Sequence, residues 1–229
     1  DNVTRAIRSD SRVLTRVSIN SPDDRTSAAR MGEIVQDYGS FVIIAKDPEI
    51  KAKGYGLQEQ TVETTVNLPG GSFDPLRQAP QGSLRLGPAA TAPGKGYYVL
   101  QFGSTATDEW LNSIANTGVE VLQYVAHNAY LVYGSSEAIS LAADHSRVRW
   151  IGQYIPEQKL APVVRTQVDA AIRNARPERR LAPIELTKRR TGIFDIAVFA
   201  RADLNSVASE LQRSFGKGYL RLTRLQNSF

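Results

Sequence analysis

The chain contains no cysteine. That excludes a disulfide scaffold, a cysteine-ligated zinc site and a cysteine nucleophile. It holds only two histidines, His127 and His145, and neither has a second histidine or a carboxylate at metal spacing, so both read as exposed turn residues. Long apolar runs are missing too. The longest candidate, Phe41-Val42-Ile43-Ile44-Ala45, has the length of a strand, far short of the roughly 20 residues that span a bilayer. No Gly-x-Ser-x-Gly elbow occurs. Pro69-Gly70-Gly71-Ser72 lacks the lysine and the helix of a phosphate-cradling loop, and Lys95 precedes a strand instead of following one. The sequence shows no catalytic constellation, no metal set and no cofactor motif. It begins at Asp1, not Met, without a basic-then-apolar leader, which reads as a removed signal peptide or a fragment.

What is present is ordinary globular composition: 41% hydrophobic and 22% charged residues, which excludes wholesale disorder. A length of 229 residues admits one large domain or two to three small ones. The net charge is +5. Residues 165–190 hold eight basic side chains against three acidic ones, an excess equal to that of the whole chain. The basicity therefore belongs to one connector, residues 163–192, and the remainder is neutral.

Residues 1–67 read as an N-terminal β-α-β-α-β unit. Val13, Thr15, Val17 and Ile19 alternate along a strand over 12–20. Ser21-Pro22 signals a helix start, predicting a helix to about Gln36. Strands follow at Tyr38–Ala45 and Gln60–Leu68, with a short helix from Asp47-Pro48 to Gly54 between them. Residues 68–96 contain five prolines and six glycines, a density that predicts a linker without regular elements.

Residues 97–162 are the most legible. Tyr97–Phe102 is a strand, and Thr107 starts a helix whose Trp110, Leu111, Ile114 and Ala115 share a face. Gly118 ends it. Val119–Val125 and Ala129–Tyr133 form a hairpin across Ala126-His127-Asn128. A helix follows Ser135, and Arg147–Tyr154 is the last strand. The order β-α-β-β-α-β predicts a ferredoxin-like module. After a short helix over Val164–Ala175, residues 193–229 repeat only its first half: Ile193–Phe199, a helix over Asp203–Phe215, and Tyr219–Leu225. The expected fold class is α+β, with tandem ferredoxin-like modules joined by Pro/Gly-rich and basic linkers.

The strands of the middle module are apolar on both faces, as Tyr97 and Val99 against Tyr98, Leu100 and Phe102 show. A free sheet of this kind alternates, so the second face needs a cover. Either a partner or a neighbouring part of this chain supplies it. Lys217-Gly218-Tyr219 matches three positions of an RNA-binding aromatic motif, but after the wrong element and without its fourth residue, so nucleic acid ranks last among the partners.

Tyr97-Tyr98-Val99-Leu100-Gln101-Phe102, Glu109-Trp110, Gly118 to Leu122, Asn128 to Val132 and Val148-Arg149-Trp150-Ile151-Gly152-Gln153-Tyr154 resemble the N-terminal prodomain of secreted subtilisin-like serine proteases. The resemblance implies a secreted, non-catalytic chain that acts as intramolecular chaperone and temporary inhibitor, since the Asp, His and Ser motifs of the protease are missing. It implies docking of a sheet face on the catalytic domain, with Tyr98, Leu100, Phe102, Leu122, Tyr124, Leu131 and Tyr133 as contacts. Further polypeptide completing the second module is the other expected partner. Phe229 is then a possible processing end. The alternative is an independent extracellular protein-binding module that uses the same exposed apolar sheet.

Overall fold

The computed structural model describes residues 2–9, 11–77, 94–166 and 203–215. They belong to two compact units, Asp1–Ala175 and Arg176–Phe229. The architecture is mixed α+β with antiparallel sheets.

The first sheet follows a short helix, α1 (Asn2–Ile7). It is built from β1 (Val13–Ser18), β2 (Glu33–Asp37), β3 (Phe41–Lys46) and β4 (Glu59–Thr61), in the order β2-β3-β1-β4. Alternation sends Val17, Val42 and Ile44 to one face, where Ala28 and Met31 of α2 (Pro22–Met31) cover them. Leu14, Ile43 and Ala45 face the other way, against Ala6 and Ile7 of α1. Ser21 and Pro22 start α2 as expected, and the Asp24 carboxylate accepts the Ser21 backbone N–H at 2.9 Å. The helix stops at Met31, five residues earlier than the sequence predicts. Gly32 passes so close to β3 that a Cβ there would sit 2.5 Å from the Ala45 carbonyl oxygen. Residues 33–37 then pair with β3, since pairing against this buried strand outweighs helical preference. The short helix expected up to Gly54 is a single 3-10 turn at Ala52–Tyr55.

The strand expected over Gln60–Leu68 is split. Glu59–Thr61 pairs with β1, and the chain then leaves the sheet. Val66–Leu68 (β5) pairs instead with Gly71–Phe73 (β6) across a Pro-Gly turn. The segment expected to lack regular elements therefore contains a strand; its residues 78–93 lie outside the described ones.

The second sheet is built by β7 (Lys95–Phe102), α3 (Asp108–Asn116), β8 (Glu120–Val125), β9 (Ala129–Ser135), α4 (Ser136–Ala143) and β10 (Val148–Gln153). The spatial order is β10-β7-β9-β8, and every neighbour is antiparallel. The element order β-α-β-β-α-β is thus observed, with the module's fourth, first, third and second strands side by side. Thr107 Oγ1 accepts the Trp110 N–H, and Ser135 Oγ accepts the Ala138 N–H, so each helix begins at a hydroxyl cap. His127 and Asn128 both have positive φ, 64° and 62°, the pair of values a tight hairpin turn demands. Under the helices lies one core containing Leu100, Phe102, Trp110, Ile114, Val132, Ile139 and Val148.

The two sheets of this unit meet through α1. Arg8 donates from Nε to the Val148 carbonyl at 2.9 Å and from a terminal nitrogen to the Ala143 carbonyl at 2.6 Å. Tyr38 donates its hydroxyl to the Thr105 carbonyl at 2.5 Å, and Arg147 donates to the Val35 carbonyl.

In the second unit, α5 (Leu204–Phe215) is capped by Asp203, whose carboxylate accepts the backbone N–H groups of Asn205 and Ser206. The sequence predicts an apolar face of Leu204, Val207, Ala208 and Leu211; Ala208 is buried and Val207 and Leu211 are half-buried, but Leu204 is 42% exposed. The expected strands at 193–199 and 219–225, the bulk of the basic connector and Phe229 lie outside the described residues.

Candidate functional site

The functional expectations converge on the second sheet, so each side chain's face decides its use. On β7, Tyr98, Leu100 and Phe102 point to the helices and are 5%, 1% and 1% exposed, which makes them core and not contacts. The expectation that they dock on a partner is corrected here: pleating puts all three under α3 and α4. The opposite face carries Tyr97, Val99 and Gln101 of β7 with Ala129, Leu131 and Tyr133 of β9. Leu131 is buried, while Tyr133 is half-buried with its ring 4.9 Å from that of Tyr97. Leu122 is half-buried at a register shift between Val121 and Gln123. Tyr124 is 57% exposed on the outer strand β8, edge-on to Tyr130 at 5.3 Å. Of the seven expected contacts, Tyr124 alone is presented openly.

The second face is covered by this chain itself. Phe73 of β6 meets Trp150 edge to face at 5.8 Å, leaving the indole 3% exposed. Gly70 N–H donates to the Gln158 carbonyl at 2.9 Å, which ties the hairpin to the 3-10 turn Pro156–Lys159. The Lys159 ammonium stands over the rings of Tyr97 and Tyr154, at 5.8 and 5.1 Å.

Between these apolar contacts lies a polar network that sequence reasoning missed. Arg149, 4% exposed, donates to Gln101 Oε1 at 2.8 Å and to Asp74 Oδ1 at 2.9 Å. Gln101 Nε2 donates to the carbonyls of Thr64 and His127. Thr64 donates its hydroxyl to Asp74 Oδ2 at 2.7 Å, and Leu76 N–H reaches Oδ1 at 3.1 Å. Burial alone would raise the Asp74 carboxyl, but the Thr64 hydrogen bond, the charge and hydrogen bond of Arg149 and the Leu76 N–H hold it below its ordinary value. Burial pulls the Arg149 guanidinium down against the attraction of Asp74. One signal pointed here. Arg149 interrupts an apolar strand, and a charge in such a position requires a buried partner.

His127 sits at the hairpin tip and His145 just beyond α4, the turn positions the sequence predicts, but both are half-buried and not exposed as expected. His145 is half-buried, its Nδ1 accepting the Arg147 N–H at 3.2 Å. Burial first, then the charge of Arg147, pushes its pKa below the ordinary value. Among the described residues no group of three or more histidines, cysteines or acidic residues is placed to hold a metal ion. No described helix is long and apolar enough to cross a membrane.

Residues 67–155 match the model of a family described as Domain of unknown function (DUF8729). That stretch begins within β5 and ends just after β10, so it takes in both the second sheet and the hairpin that covers it. No curated protein and no solved structure matches the chain.

Proposed function

We propose that this chain is a non-catalytic prodomain segment of a secreted subtilisin-like serine protease, built on tandem ferredoxin-like modules, which assists folding of the catalytic domain and holds it inhibited. The observation that carries the reading is the β-α-β-β-α-β module over Lys95–Gln153 with its fourth-first-third-second strand order, on the residues that bear the family resemblance. The covered second face changes how such a module docks. Its middle is filled by Phe73, Asp74 and Thr64 of the same chain. Contact with the catalytic domain therefore runs along the outer strand β8, where Tyr124 is exposed and the backbone has no neighbour beyond it among the described residues of the sheet.

The test is titration of the full chain into a purified subtilisin-like protease, and into a refolding mixture of the same enzyme after denaturation. Slow, tight inhibition and a higher yield of refolded activity are expected. Tyr124→Ala should weaken inhibition while leaving the far-UV spectrum and melting temperature of the chain unchanged. Absence of both inhibition and refolding assistance rejects the reading. Binding without either effect marks a plain protein-binding module.

A further inference from the structure

Beside the covered sheet face, the first unit leaves a cavity of about 520 Å³ between the N-terminal sheet and the β5–β6 hairpin. Residues of β1, the crossing segment 61–65 and β6 form its walls, and Arg149 lines it from β10. The volume falls within the roughly 300–1,000 Å³ of small-molecule sites. Three arginines, Arg12, Arg77 and Arg149, are among its lining residues, together with Glu63 and Asp74. Glu33, just outside the lining, balances Arg12, so three arginines face three carboxylates in all.

The three cations are not equivalent. Arg149 has 5% of its side chain exposed and is committed to Asp74 and Gln101. Arg12 pairs with Glu33 at 3.2 Å. Arg77 stands 4.0 Å from Asp74, whose two oxygens are already held by Thr64, Arg149 and Leu76. Among the described residues Arg77, with 55% of its side chain exposed, keeps donor capacity in a planar fork that matches a carboxylate. Thr61, Thr65 and Ser72 add short polar side chains to the same lining.

We propose that this cavity binds a small polar monocarboxylate, its carboxylate held by Arg77 and its hydroxyl- or amide-bearing body against Thr61, Thr65 and Ser72. A dianionic phosphate suits the site less well, since it brings a second negative charge towards Glu63 and Asp74. A sugar acid and the free C-terminus of a peptide share the required chemistry. The proposal does not rest on the prodomain reading.

The experiment is calorimetric titration of the full chain with four probes: D-glucuronate, N-acetyl-Ala-Ser with a free carboxylate, the same peptide amidated at its C-terminus, and inorganic phosphate. Saturable binding of glucuronate or of the acid peptide is expected, and which one binds identifies the source. The amide and phosphate should bind roughly tenfold more weakly or worse, the loss a charged hydrogen bond implies. Arg77→Ala should weaken the bound acid by a similar factor. Ser72→Leu should block it by filling the cavity. Both should melt as the parent does, since both positions are exposed. No saturable binding of either acid overturns the proposal, as does equal binding of the amide, tighter binding of phosphate, or undiminished binding in Arg77→Ala.

Discussion

At the scale of single residues, the Arg149–Asp74 pair carries the largest risk and the clearest test. A buried ion pair is weak evidence of stability in itself, but removing one partner strands the other. Asp74→Ala is expected to cost about 3–5 kcal/mol by leaving the Arg149 guanidinium buried without its counter-charge. Asp74→Ala combined with Arg149→Met should recover much of that loss, because no charge then stays behind. Urea unfolding of the two variants decides it; a single variant as stable as the parent would mean that water reaches the pair. On acidification the partly buried Asp74 and His145 set the response. Asp74 titrates lower in the folded chain than in the unfolded one, so its contribution is present above about pH 4 and is lost as the pH falls through the folded value. His145 is also depressed, so its contribution is present above about pH 6.5 and fades below. The stability curve should therefore fall in two steps on acidification. His145→Asn keeps an acceptor for the Arg147 N–H but cannot titrate, and should remove the upper step alone.

At the scale of elements, β10 explains why the faces of the second sheet resisted reading from the sequence. Strict alternation places Val148 and Trp150 together. A register shift between them, against β7, inserts one extra residue. Val148 and Ile151 then serve the helix-side core, while Arg149 and Trp150 both meet the hairpin side. In the second sheet the helix starts, the hairpin turn and the order of elements were legible, because Thr107, Ser135 and Asn128 act locally. The β2 strand, the β5–β6 hairpin and the ion pair were not, because each depends on a partner distant in the chain. Trp150 is a core residue of the second face, 3% exposed against Phe73. Trp150→Ala should cost about 3–5 kcal/mol, the usual range for emptying a large buried aromatic site. Gly152 gives an independent check. A Cβ there would overlap the Trp150 indole, so Gly152→Ala should destabilise by displacing the ring. Thermal melts that show Gly152→Ala unchanged would mean the indole has another place to go.

At the scale of the whole molecule, the question is whether the 64–76 crossing belongs to the second sheet's fold or merely rests on it. Val99, Ala129, Leu131 and Trp150 are all nearly inaccessible, and their face is the one this crossing spans. Three kinds of contact join them: an aromatic edge, a buried ion pair and a glutamine bonded to the Thr64 carbonyl. Exposing four such residues at once would leave an apolar patch of the size that marks an interaction site or an aggregation hazard. A fragment spanning residues 94–166 keeps every strand and helix of the second sheet, and its helix-side core, but bares that face. A fragment spanning 64–166 keeps the cover, although both lose α1 and the first sheet. The longer fragment is expected to melt cooperatively and to bind little hydrophobic dye. The shorter one should bind dye strongly and unfold at lower urea with a shallower transition. Equal cooperativity and equal dye binding would show that the crossing lies loosely on the sheet. The second face would then be free for a protein partner once the crossing lifts, and docking would no longer be confined to the β8 edge.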